Sequence, residues 1–483
     1  MLTTLLILFP LAGALLVWLA PLPREATSGL AFLVALAEVG LWLGSLYRFD
    51  FDTQDFQFAQ TWEWFDSIGA SYAVGFWGFS FWLAGLAVVV GAAAVAYAAW
   101  ADRDRPRAYY GLMLFLIGSI VGVFAAQDLL LFYVFFEAIL IPLYILIGVW
   151  GGPERQRATV TFVLYTMAGS LLMLASVVAY GVSVGTFSLH PDAGGSDNTL
   201  IFLGFVAAFA VKAPLLPFHG WLRAAYTQAP PEVAAVLSGV VSKAAVFGFI
   251  WIVLIHFPEP VQDFQTLLLV LGAATLVYGS LLAFRQPDLR GVIAYSSMAQ
   301  MGLITLGIFS ATQVGVTGAV LQSIAHGLVS ATMFFLAGMV EKQCGTGEVG
   351  RLGRMAKGRP ALATLVMTTG MIVLAVPGST TFAGEFAILA GVFDLGWGYA
   401  AVGAAAIVLA ALYGLRLISA VLHEARGADV SENVPDLRGG ELPLVVPLVV
   451  LLLALSAYPA AVSDNSFPGD EPEPAAVVQE SSP

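Results

Sequence analysis

The apolar positions of this chain gather into long runs, parted by short linkers that carry most of the charge. Many runs reach the ~18 to 20 residues that a helix needs to cross a bilayer. They lie near 2–20, 28–47, 74–100, 109–126, 128–149, 159–184, 200–222, 231–255, 264–284, 290–309, 314–340, 361–392, 397–422 and 441–462. The pattern predicts an all-α polytopic membrane protein of about fourteen transmembrane helices. The first run, in MLTTLLILFPLAGALLVWLAPLPRE, has no basic residue before it and no small-residue cleavage site after it. It is therefore expected to be a retained helix and not a signal peptide.

Composition agrees with the runs. Of 483 residues, 59% are hydrophobic and 11% charged, where a soluble domain carries about 25% charged residues; mean hydropathy is +0.87. Length alone would suggest two or three soluble domains, and the runs overrule it. Basic residues fix a topology. With the N-terminus outside, 17 of the 20 Lys and Arg fall in inside loops, from Arg24 through Arg103, Arg105 and Arg107 to Arg438. Arg48 falls outside, and Lys212 and Lys243 fall within helices. Asp50, Asp52, Asp55, Glu259 and Asp263 lie outside, so both termini are expected there and the net charge of −12 reflects acidic outer loops and tail. The chain divides into N-terminal helices (1–108), two halves of a core (109–255 and 264–422), a last helix with its preceding loop (423–462) and an acidic, Pro-rich tail (463–483) expected to be disordered. One cysteine, Cys344, excludes an internal disulfide and any multi-cysteine metal or iron–sulfur site. There is no dinucleotide fingerprint and no P-loop. No metal site, bound cofactor or nucleic-acid partner is expected, and energy must come from a partner or an ion gradient.

Charges inside the runs are the informative residues. On insertion scales a charge near the bilayer centre costs at least ~2.5 to 3.5 kcal/mol, so it needs a partner, water or a neutral state. Glu137 sits in LLLFYVFFEAILIPLYILIG, Lys212 before Pro214 and Pro217, Lys243 in AAVLSGVVSKAAVFGFIWIVL, and Glu385 after Pro377 and Gly378. His326 joins them in GAVLQSIAHGLVSATMFFLAG. A static ion pair that fixes packing is the bland alternative for Glu137 and Lys212. Lys243 has no acidic partner in its own helix and is a candidate relay site. A lone histidine is as often a packing residue as a functional one. Glu38, in the second run, is expected to face lipid or to be locally paired. Gln300 can hydrogen-bond water; Cys344 is expected to be chemically idle; His190, His219, His256 and His423 are expected to be solvated, in or near loops.

Proline inside a spanning helix frees backbone groups that only protein or water can satisfy. Two helices carry this signature, at 212–217 and 377–384, each beside a buried charge. Two broken helices in corresponding positions predict two inverted five-helix repeats, the pattern of a transporter.

At these residues the sequence resembles the antiporter-like subunits of respiratory complex I, the proton-pumping NADH–quinone oxidoreductase. The resemblance runs from about Tyr110 to Leu422 and rests on QDLLLFYVFFEAILIPLYILIGVWGG, KAPLLPFHGWLRAAYTQAP, QPDLRGVIAYSSMAQMGL, LQSIAHGLVSATMFFLAG and VPGSTTFAGEFAILAG. In that family the last broken helix carries lysine in L- and N-type and Mrp antiporter subunits and glutamate in the M type; Glu385 matches the M type. The family's Glu/Lys pair maps to Glu137 and Lys212, its central lysine to Lys243, its HGL histidine to His326 and its terminal acid to Glu385. Departures exist: Gln300 replaces the histidine of SHMG, the stretch His219–Tyr226 differs from HTWLPDAH, and Trp77 replaces an aspartate.

The resemblance implies a proton relay along the membrane plane, Glu137, Lys212, Lys243, His326, Glu385, with waters admitted by Ser242, Ser296, Ser297, Gln300 and Gln322. It implies flavin, iron–sulfur clusters and quinone in partner subunits, L- and N-type neighbours, a peripheral arm and an inner (plasma) membrane location. An Mrp-like cation/proton antiporter, the equivalent subunit of a membrane-bound hydrogenase or formate hydrogenlyase, and a passive scaffold are the alternatives.

Overall fold

A computed structural model describes residues 1–53, 55–65, 69–430 and 434–467. Eleven of its helices are long and apolar enough to cross a bilayer. They are α1 (Leu2–Leu19), α2 (Arg24–Leu46), α3 (Gly78–Ala101), α4 (Pro106–Ala125), the pair α5 and α6 (together Leu129–Trp150), α7 (Arg155–Val184), α10 (Pro231–Leu254), α11 (Pro258–Arg285), α12 (Leu289–Phe309), α13 (Gln313–Cys344) and α16 (Trp397–Leu422). Shorter apolar helices are α8 (Thr199–Lys212), α14 (Pro360–Val373), α15 (Thr380–Phe393) and α17 (Leu442–Ala457). A short α9 (Leu222–Gln228) follows the break after α8.

Burial sorts these helices. The apolar windows of α10 and α13 are wholly buried, whereas little more than a third of those of α1, α2 and α7 is buried. A helix that is apolar all round is at home in the core, or with lipid on its free face. Helices α11 and α12 pack backbone to backbone. A Cβ on Gly302 would lie 2.6 Å from the Leu276 nitrogen, and one on Gly279 would lie 2.8 Å from the Ala299 nitrogen. Small residues permit such approach where lipid offers no hydrophobic drive to associate.

Both expected breaks are present. After α8 the chain leaves helical winding at Ala213 and returns through a 3₁₀ turn at Phe218–Trp221. The freed groups find partners: Leu216 N donates to Thr275 Oγ1 (2.9 Å), and Trp221 Nε1 donates to the Val211 carbonyl (3.0 Å). Between α14 and α15, Ser379 caps the new helix by accepting from Phe382 N, and Thr380 N donates to Ser456 Oγ. Such breaks survive in a bilayer because protein satisfies the backbone.

Two features depart from the sequence reading. The run expected at 74–100 begins as the second strand of an antiparallel hairpin, β1 (Gln57–Phe65) and β2 (Ala70–Phe76), paired Thr61 to Ala73 and Trp62 to Tyr72. The hairpin lies across helix ends: Thr3 Oγ1 donates to the Phe58 carbonyl and Ser71 N donates to Asp128 Oδ2. The run at 128–149 is one span as expected, α5 (Leu129–Ala138) and α6 (Leu140–Trp150) meeting at Ile139, whose backbone stays helical. The acidic tail is packed at its start: Ser466 is buried, its carbonyl accepts from Phe79 N (2.9 Å), and Phe467 stacks on Phe79. Residues 468–483, the rest of the segment expected to be disordered, lie outside the described residues.

Candidate functional site

Lys243 is fully buried near the middle of α10. It sits between two π-helical stretches, Leu237–Val241 and Gly248–Leu254. Widened π turns inside α-helices recur at functional sites. On the first of them the Ser238 carbonyl accepts from Lys243 Nζ (3.1 Å) and from Ser242 Oγ (2.8 Å). Ser242 Oγ also accepts from Nζ at 3.4 Å.

A string of side chains continues from there. Ser238 Oγ donates to Ser297 Oγ (2.9 Å) and shares a hydrogen with Ser330 Oγ (2.6 Å). Ser297 Oγ lies 3.1 Å from His326 Nε2. Four residues back along α13, Gln322 Nε2 donates to Gln300 Oε1 (2.8 Å), and Gln300 Nε2 donates to Glu385 Oε1 (2.9 Å). Gly384 lets α15 approach: a Cβ there would lie 2.6 Å from Gln322 Oε1. His326, Gln300 and Gln322 share a cavity with Ser296, Ser330 and Tyr413. Ser296 donates to the Tyr413 hydroxyl. The cavity offers water centres about 40 Å³, and one water needs ~10 to 15 Å³ with polar partners. Two or three waters fit, and they would join His326 to the Gln322–Gln300–Glu385 string.

On the other side of Lys243 the arrangement differs from the one expected. Lys212 is buried at the end of α8 and Glu137 is half-buried near the end of α5. They form no ion pair. Glu137 acts on Lys212 only through its field, and the ammonium lies over the Phe136 ring, 4.5 Å from its centroid. Among the described residues no polar group links Lys212 to Lys243. Phe132, Phe136, Phe209 and Phe247 pack against one another beside the two lysines.

The structure thus brings together Lys243, Ser242, Ser297, His326, Gln300, Gln322, Ser296 and Glu385, and leaves Glu137 and Lys212 as a separate neighbourhood. Pro214, Pro217, Pro377 and Gly378 lie in the two breaks, as expected. Sequence reasoning passed over Ser238, Ser330 and Tyr413. Ser330 was within reach, since Gln322, His326 and Ser330 recur every four residues on one helix face. Glu38 is neither lipid-facing nor paired. It has no exposed surface, and both its oxygens lack a hydrogen-bond partner. Helices α1, α3 and α4 pack around α2. Their only charged residue is Arg107, in the first turn of α4. His256 is buried as well, not solvated.

A family model described as the transmembrane region of NADH:quinone oxidoreductase and Mrp antiporters matches residues 126–412. The chain belongs to this family. Within it, NADH-quinone oxidoreductase subunit M of Rhodobacter capsulatus is 37% identical over 383 residues, which is 76% of this chain and 75% of that one. Chain 4 3 of NAD(P)H-quinone oxidoreductase from Trichormus variabilis is 33% identical over 481 residues, covering 96% of this chain and 89% of that one. A chain of respiratory complex I from Thermus thermophilus superposes with a TM-score of 0.89 at 31% identity, covering 99% of both chains. The Mrp complex of Dietzia sp. shares the fold, with a TM-score of 0.84 at 23% identity over 98% of this chain and 52% of that one.

Proposed function

We propose that this chain is an M-type, proton-translocating subunit in the membrane arm of an NADH–quinone oxidoreductase. Its relatives carry that name, and the matched Thermus chain sits in respiratory complex I. The observation that carries the reading is a buried polar row: Lys243 on the Ser238 carbonyl, the Ser238 hydroxyl through Ser297 and His326 to a water-sized cavity, and from that cavity through Gln300 to Glu385. Buried ionisable groups in such a row are costly to a scaffold and suited to passing protons.

The relay runs in the membrane plane. Glu137 and Lys212 form a switch, here in its open position. When Glu137 approaches, Lys212 holds its proton; when the pair opens, Lys212 passes it toward Lys243. That step needs water or a side-chain movement, because no hydrogen bond links the two lysines among the described residues. Lys243 itself rests on the Ser238 carbonyl, so a water or a swing of the lysine hands the proton to the Ser238 hydroxyl; Ser297 and His326 carry it on, and it ends at Glu385. Gln300 and Gln322 orient the intervening waters. The two broken helices divide the core into inverted halves, 109–255 and 264–422, and supply polar backbone around the row.

The chain is a non-redox subunit. Flavin, iron–sulfur clusters and quinone belong to partners, with L- and N-type neighbours beside it in a bacterial plasma membrane. The basic loops support a topology with both termini outside.

The test is NADH-driven proton uptake by membrane vesicles from cells carrying Lys243→Met, with assembly followed in parallel. A complex that assembles but loses most of its pumping is the expected result. Unchanged pumping removes Lys243 from the path. If the unsubstituted chain copurifies with no NADH-driven activity, an Mrp-like antiporter or a hydrogenase subunit takes its place.

A further inference from the structure

We infer that Phe136 is a positioning residue for the switch: its ring holds the Lys212 ammonium out of the ion pair with Glu137. The inference deepens the relay reading and rests on it.

The geometry leaves the ring as the ammonium's close partner. Lys212 is 4% exposed. Among the described residues it makes no hydrogen bond and no ion pair, and Nζ sits 4.5 Å from the Phe136 centroid. A cation within about 6 Å of a ring centroid is drawn to the negative face of the ring, more strongly where water is excluded. Phe136 and Glu137 are neighbours on one helix, and successive side chains on a helix point about 100° apart. One lysine therefore meets the ring or the carboxylate, not both in full contact. A single choice of partner sets the state of the pair.

The ring is held in place from two sides. Phe132, one turn earlier on α5, lies 5.7 Å from it, centroid to centroid. Phe209 lies 6.3 Å away. Phe209 is three residues before Lys212, so the helix that bears the lysine also buttresses the ring that receives it. Phe209 in turn fills the space left by Gly248 on α10, where a Cβ would meet its ring at 2.3 Å. The ring is thus fixed to the two helices that carry Lys212 and Lys243. The carboxylate side is the less confined one: Glu137 is half-buried, where Phe136 and Lys212 are buried. A change of rotamer swings the carboxylate toward or away from an ammonium that the ring has parked.

Fluorination tests this, because each fluorine weakens the negative face of the ring while changing its size little. Mono-, di- and trifluorophenylalanine are placed at position 136 by nonsense suppression, and NADH-driven proton uptake per NADH oxidised is followed in vesicles after assembly is confirmed. Uptake is expected to fall stepwise with fluorine number, several-fold across the series, as Lys212 relaxes onto Glu137. Phe136→Tyr and Phe136→Trp, which keep a π face, are expected to hold most of the uptake; Phe136→Leu and Phe136→Met, apolar without one, are expected to lose it. A flat response across the fluorinated series, or an equal loss in all four ordinary variants that assemble, overturns the inference in favour of simple packing. Absence of NADH-driven uptake with unsubstituted Phe136 is a different failure, that of the relay reading itself.

Discussion

Gln300 faces two ways at once, donating through Nε2 to Glu385 and accepting at Oε1 from Gln322. A carboxamide is both donor and acceptor but does not take up a proton in this range of pH. It therefore bridges; it does not store charge. Replacing it with leucine keeps much of the volume and severs both bonds, leaving Glu385 and Gln322 buried without these partners. Gln322 Oε1 already has no partner. An orphaned buried polar group costs about 1–3 kcal/mol. Gln300→Leu is expected to lower thermal stability by that order and to cut proton uptake, whereas Gln300→His, which restores a donor and an acceptor, is expected to pump better than Gln300→Leu. Unfolding temperature in detergent and vesicle uptake measure the two effects. Equal uptake in both variants removes position 300 from the string.

At the scale of helices, what the sequence reveals depends on how local the cause is. Runs of apolar residues are local, so the long helices are legible. A proline beside a charge is local too, which is why the breaks at Ala213 and before Thr380 stand where Pro214, Pro217 and Pro377 place them. The hairpin at 57–76 was hidden because AVGF of β2 reads on into the apolar run of α3. The surroundings of Glu38 are not local at all, since three other helices make them. Nor is the opening of Glu137 from Lys212, which depends on rings drawn from α5, α8 and α10. Interhelical distance belongs to the same class, but glycine spacing betrays part of it. Gly272, Gly279 and Gly302 sit where backbones meet. Gly302→Val would press methyl groups against the Leu276 nitrogen and the Gly272 carbonyl, neither of which can yield as a flexible side chain would. Overpacking of this kind costs about 1–3 kcal/mol or more. The expected outcome is a lower yield of assembled chain in the membrane, read on a native gel; a yield equal to that of the unsubstituted chain would mean that α11 and α12 can part without cost.

The molecule as a whole is fastened differently at its two faces. On the face of the basic loops, ion pairs join distant segments: Arg103 grips Glu232 at 2.6 Å, Arg223 reaches Asp288 at 2.7 Å, and Arg290 pairs with Glu341. The opposite face relies more on hydrogen bonds between side chains and backbone. There Asp128 caps α5, and His256 pins the 185–197 segment. His256 Nδ1 contacts the Gly194 carbonyl (2.9 Å) and the Tyr180 hydroxyl (3.2 Å), and the His256 carbonyl accepts from Ser196 N (2.8 Å). Nδ1 carries the hydrogen, since it faces a carbonyl; Nε2 is buried without a hydrogen-bond partner of ordinary geometry. The Gly194 and Leu189 backbone carbonyls favour a second proton on the ring, but burial outweighs them. Burial accordingly holds the imidazole below its ordinary value. The unfolded segment then binds more protons than the folded one, so this fastening is at full strength above the ordinary histidine pKa of about 6.5 and weakens as pH falls below it. Hydrogen exchange at the Ser196 amide, corrected for intrinsic chemistry, is expected to quicken as pH is lowered through that range. His256→Asn places an amide nitrogen near the position of Nδ1 and cannot titrate, so its protection should be flat across the same range. Equal pH dependence in the two proteins would assign the loosening to another group on that face, such as His190, whose charge acts on His256.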